Sequence, residues 1–154
     1  MSGVRFILAA ALLLLSGESM RAAGGAAASL DQARAEPNLE KRSGLAMDNA
    51  MAALKQAHEA YNAGDLARVA AKAAEIQESV ELAYSSLAET GKDPRKNPKW
   101  FKRAEIACRD LLRSLEAQQH DMSYQDRAIL DKVKEKVQQV HDDLLTGLME
   151  GKRK

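Results

Sequence analysis

The sequence predicts an all-α protein, an antiparallel up-down-up-down four-helix bundle behind a cleaved signal peptide. Three observations predict it. The first is composition: 45% hydrophobic residues with only 4% aromatics, rich in Ala, Leu, Glu and Lys, which favour helices over strands. The second is a short apolar run near the start, followed by small residues. The third is a set of four long segments whose apolar residues recur at alternating steps of three and four. At 154 residues the chain has the length of one domain.

Residues 1–28 form the predicted signal peptide. Arg5 opens it with positive charge, and Phe6 to Leu15 is an unbroken apolar run. Small residues follow, up to Ala28. This is the three-part layout of a secretory signal. Glu18 and Arg21 stop the run well short of the roughly 20 apolar residues that a spanning helix needs. Localisation is therefore expected to be periplasmic or secreted. Removing 1–28 takes away Arg5, Arg21 and Glu18, and the remaining chain has no net formal charge. Residues 29–37 are expected to be a disordered lead-in.

The bundle is expected over 38–150. Its first helix, 38–63, starts beside Pro37-Asn38. Met47, Ala50, Leu54, Ala57 and Tyr61 fall on one helical face. Gly64 suits the left-handed position that ends a helix, and Asp65 can cap the next. The second helix, 65–90, carries Leu66, Val69, Ala73, Ile76, Val80, Ala83 and Leu87, and Gly91 closes it. The third, 98–119, opens with Asn97-Pro98, a cap residue and a proline at the first position. Its stripe is Phe101, Ala104, Cys108, Leu111 and Leu115. Ser123 is expected to cap the fourth, 124–150, with Leu130, Val133, Val137, Val140 and Leu144. Short connections between helices of similar length favour antiparallel neighbours.

Two local resemblances accompany this pattern. Ala60-Tyr61-Asn62-Ala63-Gly64-Asp65-Leu66 resembles the turn of a tetratricopeptide repeat, but it occurs once, and its flanking helices are too long for a 34-residue repeat. Met47 lies on the seam of the first helix, and His141 stands beside seam residue Val140 of the fourth. If those helices were neighbours, both side chains would lie about 13 Å from one end of the bundle. A Met from the first helix and a His from the last resembles the periplasmic four-helix b-type cytochromes. That resemblance implies a haem-binding electron-transfer protein with Met47 and His141 as axial ligands.

Motifs for catalysis are absent: no HExxH, GxGxxG, GxSxG or CxxC occurs. No Glu-x-x-His precedes His58, His120 or His141, so a di-iron bundle is not indicated. The single cysteine excludes an internal disulfide framework. Cys108 sits on a seam, where a buried inert thiol is the expected state; an intermolecular disulfide is the alternative. No cofactor and no metal are expected in the leading reading.

The local anomaly is the connection 92–103, KDPRKNPKWFKR. It holds six basic residues, one acid and the only Trp. Lys99, Lys102 and Arg103 fall in the first turns of a helix, where positive charge opposes the helix dipole. Local rules tend to be broken where function demands it. Lys96, Lys99, Trp100, Lys102 and Arg103 are therefore the candidate partner- or anion-binding residues. The leading expectation is an exported, non-catalytic bundle that binds a protein or an anionic envelope component. Balanced charge argues against a specific nucleic-acid partner. Peripheral membrane contact fits the same residues, and Ala-rich helix faces leave a homo-oligomer open.

Overall fold

A computed structural model of the chain describes residues 29–151. The expected signal peptide lies outside the described residues. Five helices succeed one another: α1 Leu30–Ala35, α2 Leu39–Asn62, α3 Leu66–Glu89, α4 Pro98–Asp121 and α5 Ala128–Glu150. The described residues contain no strand. None of their helices is long and apolar enough to cross a membrane.

The long helices bury most of the expected stripes; Leu66, at the start of α3, is 40% exposed, and Tyr61 is half-buried. Val69, Ile76, Val80 and Leu87 of α3, Leu111 and Leu115 of α4, and Leu130 and Val137 of α5 join one core with Met47, Ala50 and Leu54 of α2. At the starts of α2 and α3 the caps obey the sequence chemistry. Asn38 Oδ1 accepts from Lys41 N at 2.9 Å, and Asp65 Oδ1 accepts from Arg68 N at 2.9 Å. Gly64, at φ +74°, takes the left-handed position between α2 and α3 that side chains with a Cβ avoid.

Three larger features also depart from expectation. Residues 29–37 contain α1 instead of a disordered lead-in. Ser29 and Gln32 close a reciprocal capping box, and Ala33 is fully buried. Arg34 reaches Glu78 of α3 at 2.7 Å. So short a helix is unstable alone, and these tertiary contacts hold it.

Ser123 does not cap the last helix. Its hydroxyl bonds Asp126 Oδ2 at 2.7 Å, and its N–H donates to the Tyr61 hydroxyl at 2.8 Å. Tyr61 in turn donates to Asp126 Oδ2 at 3.2 Å. This cluster makes a separate turn over 124–127, so α5 begins at Ala128.

The third departure concerns neighbours. α2 packs against α3 and α4, and α5 packs against α3 and α4. No Cα of α2 comes within 8 Å of a Cα of α5. The first and last long helices therefore occupy opposite corners instead of sharing a face.

One polar layer interrupts the apolar packing between α2 and α3. Buried Asn49 donates to Ser79 Oγ at 2.9 Å and to Glu75 Oε1 at 3.1 Å. Lys72 Nζ bonds Glu75 at 2.6 Å. Burial pushes the Glu75 carboxyl up, but the hydrogen bonds from Lys72 and Asn49 prevail and hold it below the ordinary value. Such a pair of helices can slide only by unpairing the Asn49 amide, which fixes its register.

Candidate functional site

The start of α4 is built by a conflict. Pro98 occupies the first turn, Asn97 makes no side-chain cap, and no acid stands in that turn. The N–H groups of a helix start usually attract acids. Here Lys99, Lys102 and Arg103 stand in their place.

Trp100 organises the side chains around this helix start. Its ring lies over α2, where Gly44 leaves room for it. A Cβ on Gly44 would stand 3.4 Å from Trp100 Cζ3 and 4.0 Å from Arg103 Cζ. Lys99 Nζ sits 5.7 Å from the Trp100 ring centroid and Arg103 Cζ 5.4 Å. Both lie within the range of cation–π attraction, worth about 0.5–1 kcal/mol at an exposed site. Lys99, Trp100 and Arg103 are thus one unit. Trp100 is half-buried, whereas Lys99 and Arg103 are exposed.

The other expected members lie apart. Lys96 is exposed in the connection, and Lys102 is exposed on α4. Among the described residues neither touches the Trp100 unit through a hydrogen bond, an ion pair or a ring contact, and neither has an acidic partner. Phe101 is buried in the core and belongs to the packing. Lys92 is neutralised by Glu40 at 2.7 Å. The basic side chains therefore do not converge on one point. An open groove of about 230 Å³ beside Trp100 also carries Glu36 and Asp48 opposite Lys41 and Arg103, which disfavours a single small anion there.

The connection itself is anchored against the end of α5. Pro94 Cγ would lie 3.3 Å from a Cβ on Gly147, so the absence of a side chain at 147 lets the loop pack closely. A cavity of about 270 Å³ remains between α3, α5 and this loop, lined by Tyr84, Pro94, Phe101, Asp143, Leu144 and Gly147 among others. Burial, with the nearby Asp143 carboxylate adding to it, raises the Tyr84 phenol above its usual value.

The alternative haem pair is not assembled. Met47 is buried on α2 beside Trp100 and Ala104 of α4. His141 Nε2 is 3.1 Å from Glu105 Oε1 of α4, and its Nδ1 is 3.2 Å from Asp142 Oδ1. Because α5 sits across from α2, the equal depths of Met47 and His141 do not bring them face to face. Among the described residues no group of three or more His, Cys, Asp or Glu is gathered as metal ligands. Cys108 is fully buried. Burial, with Glu105 adding to it, pushes its thiol up to about 12, so it is a core thiol and not a nucleophile.

Two residues of this surface lie beyond the charge run that marks it in the sequence. Arg109 and Arg113 are exposed on α4. Lys99, Lys102, Ile106, Arg109 and Arg113 step by three, four, three and four, the same alternation as the buried seam but on the outward face. Comparisons with protein-family models, characterised proteins and solved structures return no match for this chain.

Proposed function

We propose that this chain is an exported helical-bundle protein that acts by binding, without catalysis, and that the basic aromatic start of α4 is its contact surface. The observation that carries the reading is the Trp100 unit. The only Trp of the chain is held half-exposed between two cations, at a helix start where positive charge is locally unfavourable. Nothing in the core requires Lys99 or Arg103 to be there. The partner is a protein or an anionic envelope component.

Export rests on the layout of residues 1–28. The alternating direction of the four long helices belongs to the same reading. It is supported by Arg42, near the start of α2, meeting Glu89 at the end of α3 at 3.9 Å. The start of α2 also lies beside the start of α4 at Gly44 and Trp100.

The test is purification of the tagged chain from its own cells at low salt, as wild type and as Lys99→Glu/Lys102→Glu/Arg103→Glu. The reading expects a co-purifying protein or lipid that the triple variant loses. The same companions in both preparations would refute it.

A further inference from the structure

Surface charge on α4 is sorted along its length, basic from 99 to 113 and acidic beyond, at exposed Glu116 and Asp121. Seven residues of α4 between 99 and 113 are exposed. Lys99, Lys102, Arg103, Arg109 and Arg113 are basic, Asp110 is acidic and Ile106 is apolar. Asp110 is itself paired with Arg113 at 3.6 Å. The exposed charges of α5 are the reverse: Asp131, Glu135, Asp142, Asp143 and Glu150 against Lys132 alone. On α3 they are Glu78, Glu81 and Glu89 against Arg68, and the three acids are paired with Arg34, Lys136 and Arg42 of other helices. The exposed face of α2 is balanced.

We infer that α4 is the face with which the protein lies on a bilayer carrying anionic phospholipid headgroups. The inference rests on the start of α4 being the contact surface, and it extends that surface along the helix. From Lys99 to Arg113 the basic row runs about 21 Å at 1.5 Å per residue. It is straight, because its members step by three and four on one side of the helix. Such a row meets a planar array of phosphates along its whole length, whereas one small anion engages only its end.

The surface lacks the features of a protein-docking site. Protein interfaces are anchored by buried apolar and aromatic side chains. Here Ile106, 44% exposed, is the only outward apolar residue in the row. The Trp100 ring is already seated on Gly44. Charge supplies the attraction, and the acidic exposed face of α5 orients the molecule. A bundle with one basic face and one acidic face turns its basic face toward an anionic plane. Juxtamembrane basic residues attract anionic leaflets in this additive, salt-screened way.

The test is sedimentation of the full chain with phosphatidylcholine vesicles, with and without phosphatidylglycerol, at low and high salt. The quantity read is the ratio of the two partition coefficients. The apolar part of any binding by the run 6–15 is common to both vesicle types and cancels. The cations outside α4, Arg5, Arg21 and the tail Lys152-Arg153-Lys154, contribute equally to wild type and variants, so the decisive reading is the change in the ratio between them. The inference expects a ratio well above unity at low salt that collapses at high salt. Arg109→Gln/Arg113→Gln should lower it about 25-fold, or five-fold per arginine. Lys132→Gln, on the acidic face of α5, should leave it unchanged.

A ratio near unity at low salt overturns the inference. So does a ratio that survives Arg109→Gln/Arg113→Gln but is lost in Lys99→Gln/Lys102→Gln/Arg103→Gln. In that case the helix start remains the contact surface and the extended row does not. Self-association abolished by the arginine pair, without lipid dependence, also overturns it and assigns α4 to a second copy of the chain.

Discussion

Gln118 breaks the apolar seam of α4, and its replacement gives a worked test of how this core is held. The seam runs Phe101, Ala104, Cys108, Leu111 and Leu115, then Gln118, then Met122. Gln118 is only 5% exposed, yet neither its Oε1 nor its Nε2 finds a hydrogen-bond partner among the described residues. It lines a groove of about 330 Å³ between α2 and α4 with Met51, Leu54, His58 and Ala117. An unsatisfied buried donor or acceptor costs about 1–3 kcal/mol. Gln118→Leu removes both polar atoms and keeps nearly the same volume. Branching at Cγ gives back up to about 1 kcal/mol as imperfect fit. The net expectation is a gain of up to about 3 kcal/mol. With a urea slope of about 1.5 kcal/mol/M, the unfolding midpoint monitored by far-ultraviolet circular dichroism should rise, by up to roughly 2 M. A lower midpoint in Gln118→Leu would refute the reasoning, because it would mean that the amide is satisfied in solution and the seam is built around it.

The Gly44 seat of Trp100 predicts two opposite outcomes. Gly44→Ala meets the ring at ordinary contact distance and should stabilise α2 by about 0.5–1 kcal/mol. Gly44→Leu should evict the ring, seen as a red shift of the fluorescence of the only Trp. Tyr61→Phe leaves Ser123 N and Asp126 without their shared partner and should cost about 1–2 kcal/mol in urea unfolding. Cys108 should resist thiol reagents in the native state and react only as fast as the protein opens. Its folded thiol titrates near 12 against an ordinary 9.0, so the folded state holds the proton more tightly. That contribution is complete below about pH 9 and is lost as the pH climbs toward 12. Unfolding midpoints that rise between pH 9 and 11 in wild type relative to Cys108→Ala would contradict it.

The helices were legible because each carries its own periodic signal. Ile76, Leu111 and Val137 can be assigned to a buried face from spacing alone. Which helix touches which was not legible. All four seams share the same step pattern, so the sequence contains no label for neighbours, and Met47 and His141 could be paired on paper at equal depth. α1 had a readable signal in Ser29-x-x-Gln32, a capping-box pattern. Its stability, however, comes from Arg34 on Glu78 and from buried Ala33, which are tertiary. Ser123 has cap chemistry, but Tyr61, 62 residues away, recruits it to a turn. The basic connection was visible as a run of charge. Its continuation through Arg109 and Arg113 was equally present, as a second stripe of steps three and four on the polar side of α4. A search confined to contiguous charge passes over it.

The claim at the centre is that the start of α4 touches a partner in the cell. A photo-crosslinking residue placed at Lys102 of α4 tests it directly, with the same residue at Lys132 of α5 as the comparison. Both positions are exposed, so neither substitution disturbs the core. Illumination of intact cells should yield a crosslinked species, lipid or protein, from position 102 and little from position 132. Equal yields at the two positions, or none at 102, would contradict it.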